Sequence, residues 1–174
     1  TLASAAPLKI ASVSPLSGGL IGSGTELKRG AELSVERHLQ EFKELGYELS
    51  LVSFDDQGSP VAAKPLAQKI ANDTSILGVV GAYNSSVSSV LGEAFAPSKL
   101  AIVTISTNDK LTRNGWTHLS RVVAPDGAQS VAAASALVER QPGAIYVVSD
   151  NTTYGNGLTK SLVQQLKSTS VRVA

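Results

Sequence analysis

The sequence predicts an α/β fold built on doubly wound parallel sheets, and three features predict it. Stretches with strand character alternate with helical patterns along nearly all of the 174 residues. The predicted strands are mostly apolar throughout, which is typical of a parallel sheet covered on both faces. Small hydroxyl residues follow four of these strands, in the segments 14–19, 81–86, 104–108 and 150–155. Because ligands bind beyond the carboxyl ends of the strands in an open α/β sheet, these hydroxyls are the first candidates for a binding site.

The first βα units are predicted from short apolar runs and from helix capping signals. The first helix is expected to begin near Thr25, where a threonine can cap and Glu26 favours the first turn. Apolar residues then recur every four positions and predict its buried face: Leu27, Ala31, Val35 and Leu39. The second helix begins at Ser59-Pro60, an N-cap followed by proline at the first helical position, and runs towards Asn72. Pro65 is expected to disturb it, since proline inside a helix removes a hydrogen bond and clashes.

The alternation continues to the end of the chain. The third helix is predicted from near Ser85 to before Pro97, a short helical turn at 109–114, an alanine-rich helix at 126–140 and a last helix at 154–168. Strands are predicted at 8–13, 47–54, 76–80, 100–104, 119–123, 144–149 and 171–173.

Composition excludes several classes of function. The net charge of +1 gives no electrostatic footprint for nucleic acid. The chain has no cysteine and two histidines, so disulfides, thiolate metal sites and histidine-rich metal sites are excluded. No apolar run reaches the roughly 18 residues that span a membrane. Residues 1–7 are interpreted as a short mature leader, with any export signal already removed.

The glycine-rich segment Gly18–Gly24 is not predicted to bind a nucleotide. It follows a strand and precedes a helix, but Leu27 stands where a dinucleotide fingerprint needs its third glycine. Thr25-Glu26 stands where a phosphate-binding loop needs lysine, and a glutamate there would repel phosphate. We therefore expect no cofactor and interpret the segment as a strand-to-helix turn.

Three groups of residues are candidates for holding a small polar ligand. Ser85 lies where backbone N–H groups at a helix start can bind a carboxylate, although Ser85 or Ser86 can equally be an ordinary N-cap. The carbonyl of Ser106 and the hydroxyl of Thr107 can accept hydrogen bonds from an ammonium, and an ordinary turn is the alternative. Asp126 and Tyr154 open two later helices, where a solvent-facing cap and a half-buried tyrosine are the alternatives.

No pattern of catalytic residues accompanies these hydroxyls. Asp55 and Asp56 are adjacent on a strand, so their side chains point to opposite faces and a structural role at the strand end is expected. The sequence contains no nucleophile elbow and no metalloprotease motif.

Taken together, these segments resemble the type I periplasmic solute-binding proteins, in their branched-chain amino-acid (Leu/Ile/Val) binding branch. The resemblance rests on stretches in the family's order and spacing: 14–18, 30–31, 54–56, 79–81 with 85–86, 104–112 and 154–158. It implies two doubly wound lobes hinged around a cleft, the first over about residues 1–121 and the second beginning near 122. It also implies an exported, non-catalytic component of an ABC importer that binds an amino acid and docks on a membrane permease.

The resemblance also implies roles for individual residues. Ser85 would hold the ligand α-carboxylate, Ser106 and Thr107 would contact the ammonium and carboxylate, and Tyr154 would close over the ligand. Asp126 would lie near the cleft mouth. Ser23 replaces an aromatic residue of several relatives, for which Tyr83 and Asn84 are expected to compensate.

The chain is shorter than members of that family, which are roughly twice this length. We therefore expect an N-terminal fragment with an incomplete second lobe, whose unfinished sheet edges favour self-association. A ligand sensor of the same fold that binds amides is the alternative function. An α/β enzyme is a third, disfavoured because the sequence shows no catalytic base, metal site or phosphate loop.

Overall fold

The computed structural model describes residues 6–174 and consists of five helices and seven strands over that range. The interpretation of residues 1–7 as a leader falls mainly outside the described residues. The strands are β1 (Ala6–Ser14), β2 (Tyr47–Asp55), β3 (Ile76–Gly81), β4 (Ala101–Thr104), β5 (Leu119–Arg121), β6 (Ala144–Ile145) and β7 (Arg172–Val173). The helices are α1 (Ile21–Glu44), α2 (Pro60–Asn72), α3 (Ser85–Phe95), α4 (Asp126–Arg140) and α5 (Thr153–Leu166). Short 3₁₀ turns lie at Gly18–Leu20 and Asp109–Thr112.

The strands form two parallel sheets, which confirms the predicted α/β architecture. The larger sheet has the order β2-β1-β3-β4-β5, and the smaller sheet pairs β6 with β7. All of the strand pairs are parallel. Because β2 lies on one side of β1 and β3, β4 and β5 follow on the other, the chain winds outwards from β1 in both directions and the larger sheet is doubly wound.

The main core lies between the larger sheet and helices α2 and α3. Ala11 and Val13 of β1 are completely buried there, with Val87 and Leu91 of α3. Ile10 of β1 alternates onto the opposite face, where it lines a partly open groove with Ala31 and Val35 of α1. A second, smaller core joins Ala134 of α4, Leu166 of α5 and Val171, the residue before β7. Among the helices of residues 6–174, none has both the length and the apolarity to cross a membrane.

The predicted start and buried face of α1 are partly wrong. The helix begins at Ile21, and a 3₁₀ turn precedes it, so Thr25 lies inside the helix and does not cap it. The reason is packing: Gly24 approaches Pro15 so closely that a Cβ would clash with the Pro15 carbonyl, while the Ser14 hydroxyl donates to the Gly24 carbonyl at 3.0 Å. Leu39 is 42% exposed, because it lies in an open groove at the amino end of β2.

Two other local predictions also need correction. Helix α2 begins as predicted, with the Ser59 hydroxyl accepting the Ala62 N–H, but Pro65 does not interrupt it. Pro65 lies on the exposed face, where the Val61 carbonyl that loses its helical partner can bind water. Strand β6 has two residues, whereas six were predicted, because β7 pairs with Ala144 and Ile145 alone.

Candidate functional site

A cavity of about 380 Å³ lies beyond the carboxyl ends of β3 and β4, between the larger sheet and helix α5. This is the position where the parallel sheet predicts a ligand site. The residues that line it are Leu20, Tyr83, Asn84, Ser85, Ile105, Thr107, Gln129, Asp150, Thr152 and Tyr154. A groove of similar volume lies between α5 and β7, but it is away from these strand ends.

Ser85 opens helix α3 at the wall of this cavity. The residue is buried, and its hydroxyl accepts the backbone N–H of Asn108 at 3.4 Å. Asn84 occupies the cap position in an extended conformation, and no side chain caps the helix. The N-cap alternative for Ser85 and Ser86 is therefore wrong, and the first turn of α3 keeps its N–H groups for another acceptor. Those donors and the helix dipole favour an anion at this point.

Thr107 and Ser106 are adjacent but face different surroundings. Thr107 lines the cavity. Ser106 is buried beneath it, and its hydroxyl donates to the carbonyls of Ala82 at 3.0 Å and Tyr83 at 3.1 Å. The side chain of Ser106 therefore supports the loop, and only its backbone carbonyl is left for the contact with an ammonium that the sequence predicts.

A buried network of hydroxyl groups holds this loop in place. The Ser88 hydroxyl lies 2.7 Å from that of Ser106 and 2.9 Å from that of Thr104, and it accepts the Ala82 N–H at 3.2 Å. The Thr104 hydroxyl donates to the Ala82 carbonyl at 2.9 Å. Sequence reasoning missed Ser88, although a signal exists: it lies beside Val87 on the buried face of α3, where a hydroxyl needs a partner.

Two tyrosines flank the cavity, as the sequence predicts for this region. Tyr154 lies in the first turn of α5 and is 39% exposed, while Tyr83 follows β3 and is 38% exposed. Helix α5 is capped by Thr152, whose hydroxyl accepts the Gly155 N–H at 2.9 Å. Both aromatic rings are thus placed at the edge of the cavity and keep room to move.

Five lining residues were not named as candidates from the sequence. Leu20 and Ile105 supply apolar surface, Gln129 of α4 supplies an amide, Asp150 supplies a carboxylate and Thr152 supplies a hydroxyl. Leu20 carries no signal of its own, because it lies in the segment Gly18–Gly24, which the sequence predicts to be a strand-to-helix turn.

Asp126 does not line the cavity but lies buried next to it, at the start of α4. Its backbone N–H donates to the Thr107 carbonyl at 2.8 Å, and both of its carboxylate oxygens are buried without a hydrogen bond. The Thr107 hydroxyl lies near enough to this carboxylate to lower its pKa, but among residues 6–174 neither oxygen accepts a hydrogen bond. Burial raises the pKa of Asp126 and the charge of Asp109 adds to the rise, while the Thr107 hydroxyl and the Arg121 guanidinium oppose it.

The two adjacent aspartates at the end of β2 serve different loops and form no acid/base pair. Asp55 accepts the N–H groups of Leu16 at 2.8 Å and Gln57 at 2.9 Å. Asp56 accepts the Gly58 N–H at 2.7 Å, and its other oxygen is buried without a partner. Burial raises the pKa of Asp56 to about 6. Across residues 6–174, no three His, Cys, Asp or Glu side chains come together as a metal site would require.

The sequence pattern that defines a family described as periplasmic binding protein matches residues 7–174. The chain belongs to this periplasmic binding protein family. Its curated relatives include the Leu/Ile/Val-binding proteins of Citrobacter freundii and Escherichia coli K12, each 29% identical over 174 residues. Those alignments cover 99% of this chain and 47% of each relative. This periplasmic binding protein chain thus spans about half the length of the curated relatives it matches.

Solved structures of similar fold confirm the architecture of a type I periplasmic binding protein. The leucine binding protein LivK from Thermotoga maritima superposes with a TM-score of 0.84 at 24% identity, over 96% of this chain and 48% of that one. LivJ from Streptococcus pneumoniae, in complex with isoleucine, superposes with a TM-score of 0.80 at 19% identity. The match covers 96% of this chain and 49% of LivJ. An ABC-transporter solute binding protein from Rhodopseudomonas palustris BisB5, in complex with 3,4-dihydroxybenzoic acid, superposes with a TM-score of 0.83 at 13% identity. The match covers 97% of this chain and 46% of that protein. Partial coverage of each neighbour is consistent with an incomplete second lobe.

Proposed function

We propose that this chain forms one side of an amino-acid-binding cleft in the extracytoplasmic, substrate-binding component of an ABC importer, with a branched-chain amino acid as ligand. In this proposal residues 1–121 form the first lobe and residues 122–174 begin the second. The observation that carries the proposal is the cavity where the uncapped start of α3, the Thr107 hydroxyl and Tyr154 converge. Ligand binding, without catalysis, is the role of this site.

The ligand carboxylate is placed at the start of α3. The Ser85 hydroxyl and the N–H groups of the first helical turn offer hydrogen bonds to an anion, and the helix dipole adds partial positive charge. Among residues 6–174, the cavity is lined by no lysine and no arginine. A carboxylate can therefore be held by neutral donors alone, much as phosphates are held at other helix starts.

The ligand ammonium is placed at the loop after β4. The Ser106 carbonyl and the Thr107 hydroxyl oxygen are the acceptors for it, while Asp150 contributes negative charge to the cavity wall. Leu20 and Ile105 offer an apolar surface to an aliphatic side chain, and Tyr83 and Tyr154 close around it. This combination fits a small zwitterion with an apolar side chain.

The relatives support the transport role and also define the competing ligand class. Two of them are Leu/Ile/Val-binding proteins, and a neighbouring structure holds isoleucine. Another neighbour of the same fold holds 3,4-dihydroxybenzoic acid, a carboxylic acid without an ammonium group. A membrane permease is the proposed partner. The proposed location is the periplasm or another extracytoplasmic space, which the protein reaches by export.

Calorimetric titration tests the proposal with the protein at its full natural length. Leucine, isoleucine and valine are expected to bind, and 4-hydroxybenzoate is not. Ser85→Ala is expected to weaken leucine binding about 10- to 100-fold, because it removes one hydrogen bond to a charged group. Ser89→Ala, the same change four residues further along α3, is the matched control and should leave affinity unchanged. Binding of the hydroxybenzoate with no response to any amino acid would overturn the proposal.

A further inference from the structure

Asp126 is the least compensated polar group next to the proposed site. The residue is 1% exposed, and within the described part of the chain neither carboxylate oxygen has a hydrogen-bond partner. A buried carboxylate without hydrogen bonds is costly, so its retention requires a compensating interaction or a use.

The surroundings of Asp126 show how a carboxylate is tolerated there. The residue is the first of the 15 in α4, so the dipole of that helix favours the ionised form. On the opposite side lies Gly157 of α5, where a Cβ would come within 3.1 Å of Oδ2 of Asp126 and would clash with the side chain of Asn108. Helix α5 therefore approaches the carboxylate with backbone alone, and no side chain of α5 at that point can supply a donor.

Thr107 connects this carboxylate to the cavity. Its backbone carbonyl accepts the Asp126 N–H at 2.8 Å, which keeps the two residues together. Its hydroxyl approaches the carboxylate, and Thr107 also lines the cavity. A threonine hydroxyl has one proton and two lone pairs. If the proton is directed to Asp126, the oxygen offers the cavity only acceptor capacity.

We propose that Asp126 is a positioning residue that fixes the Thr107 hydroxyl as an acceptor towards the cavity, so that the site selects ligands carrying an ammonium over acids that lack one. This inference rests on the proposed function, because it assumes that the cavity holds the ligand head group. An ammonium supplies the donor that Thr107 needs, whereas a 2-oxo acid presents another acceptor to the same oxygen and is repelled.

The test is a change of selectivity in Asp126→Asn at full natural length. The asparagine side chain has nearly the same shape, but its NH₂ group donates to the Thr107 oxygen and leaves the hydroxyl proton to turn towards the cavity. Dissociation constants are measured calorimetrically for leucine and for 4-methyl-2-oxopentanoate, its 2-oxo acid analogue. The preference for leucine is expected to fall at least about 10-fold in the variant, with weaker leucine binding and stronger oxo-acid binding.

Asp109→Asn is the matched control, because it also removes a negative charge near the start of α4, from a side chain that binds the Gly127 N–H. Asp109 lies close enough to raise the pKa of Asp126, but its side chain accepts the Gly127 N–H at 2.9 Å and pairs with Arg113 at 3.5 Å. Its removal should leave the preference for leucine within about twofold of wild type, because that preference depends on the Thr107 hydroxyl. Asp126→Asn made in a Thr107→Val background should cause no further change of preference, since the hydroxyl that Asp126 orients is already gone.

The outcomes separate the two proposals. If wild type binds leucine and Asp126→Asn weakens both ligands by the same factor, Asp126 is structural and this inference is overturned. The same conclusion follows if the preference shifts equally in Asp109→Asn. If wild type binds neither ligand, the proposed function itself fails. Thermal unfolding of each variant, followed by circular dichroism, shows that the comparison is made between folded proteins.

Discussion

Removal of the Ser88 hydroxyl should measure how strongly the buried network stabilises the floor of the cavity. Ser88 is completely buried, and its oxygen accepts the Ala82 N–H at 3.2 Å. Thr104 and Ser106 direct their protons to backbone carbonyls of the loop after β3. The proton of Ser88 is therefore the one that joins the hydroxyls to one another, and its shortest contact is with Ser106 at 2.7 Å.

The expected cost of Ser88→Ala follows from the groups that are left behind. The Ala82 N–H loses its acceptor in a site that water does not reach, which costs about 1–3 kcal/mol. The lost hydrogen bond between Ser88 and Ser106 adds about 1 kcal/mol. The free energy of unfolding should therefore fall by about 2–4 kcal/mol, a large fraction of the stability of a small domain.

Urea unfolding followed by far-ultraviolet circular dichroism measures this loss in the 174-residue chain. Ser89→Ala is the control, because it makes the same chemical change at the next, half-buried position of α3. That variant should stay within about 0.5 kcal/mol of wild type. If Ser88→Ala is no less stable than Ser89→Ala, the hydroxyl network does not hold the loop and the reasoning is refuted.

Two further predictions concern the pH dependence of stability and the packing of glycines. Burial raises the pKa of Asp56 from 3.8 to about 6, so between those values the folded chain keeps a proton that the unfolded chain releases. This stabilisation is complete below about pH 4 and is lost as the pH rises through 6. Across that window the free energy of unfolding of wild type should therefore fall by about 3 kcal/mol relative to that of Asp56→Asn. Denaturant titrations of both proteins at pH 4 and pH 7 measure the difference, and a constant difference would contradict it. Gly92→Ala should destabilise the chain by about 1–3 kcal/mol and shift the fluorescence of Trp116, because the new Cβ meets the indole ring. Gly30→Ala, which meets nothing within 4 Å on the exposed side of α1, should instead stabilise by about 1 kcal/mol; equal effects of the two substitutions would show that the contact with Trp116 is unimportant.

The parts of the fold that the sequence predicted best are those decided by local chemistry. The start of α2 follows from a serine that caps and a proline that suits the first turn, and the structure places both there. Helix α4 has the predicted bounds, since alanine-rich sequence favours helix whatever its surroundings.

Tertiary contacts explain the predictions that failed. Glycines are poor helix formers, so the sequence predicts a strand-to-helix turn over Gly18–Gly24. In the structure the close approach of Gly24 to Pro15 requires a glycine, and that packing carries the helix start back to Ile21. The short β6 has the same kind of cause, because strand length depends on the partner strand, which the sequence of β6 does not reveal.

The candidate site was predictable at the level of the loop but not of the single atom. The segment after β4 was correctly placed near the start of α3, because the carboxyl ends of neighbouring parallel strands meet at one edge of a sheet. Which of Ser106 and Thr107 turns its side chain to the cavity depends on the hydroxyl of Ser88, a residue of another element. The spacing within α3 signals a buried hydroxyl at Ser88, but it does not reveal the partners that the other elements supply.

The burial of the groups around the cavity also indicates which ligands the proposed site should distinguish. Ser85 and Ser106, beside the proposed positions of the ligand carboxylate and ammonium, are buried and hydrogen-bonded before any ligand arrives. Tyr83 and Tyr154, beside the proposed position of the ligand side chain, are more than a third exposed and can adjust. Preorganised groups lose little freedom on binding, whereas mobile ones lose more but accept more shapes. We therefore expect exchange among leucine, isoleucine and valine to change affinity less than removal of the ammonium or the carboxylate does.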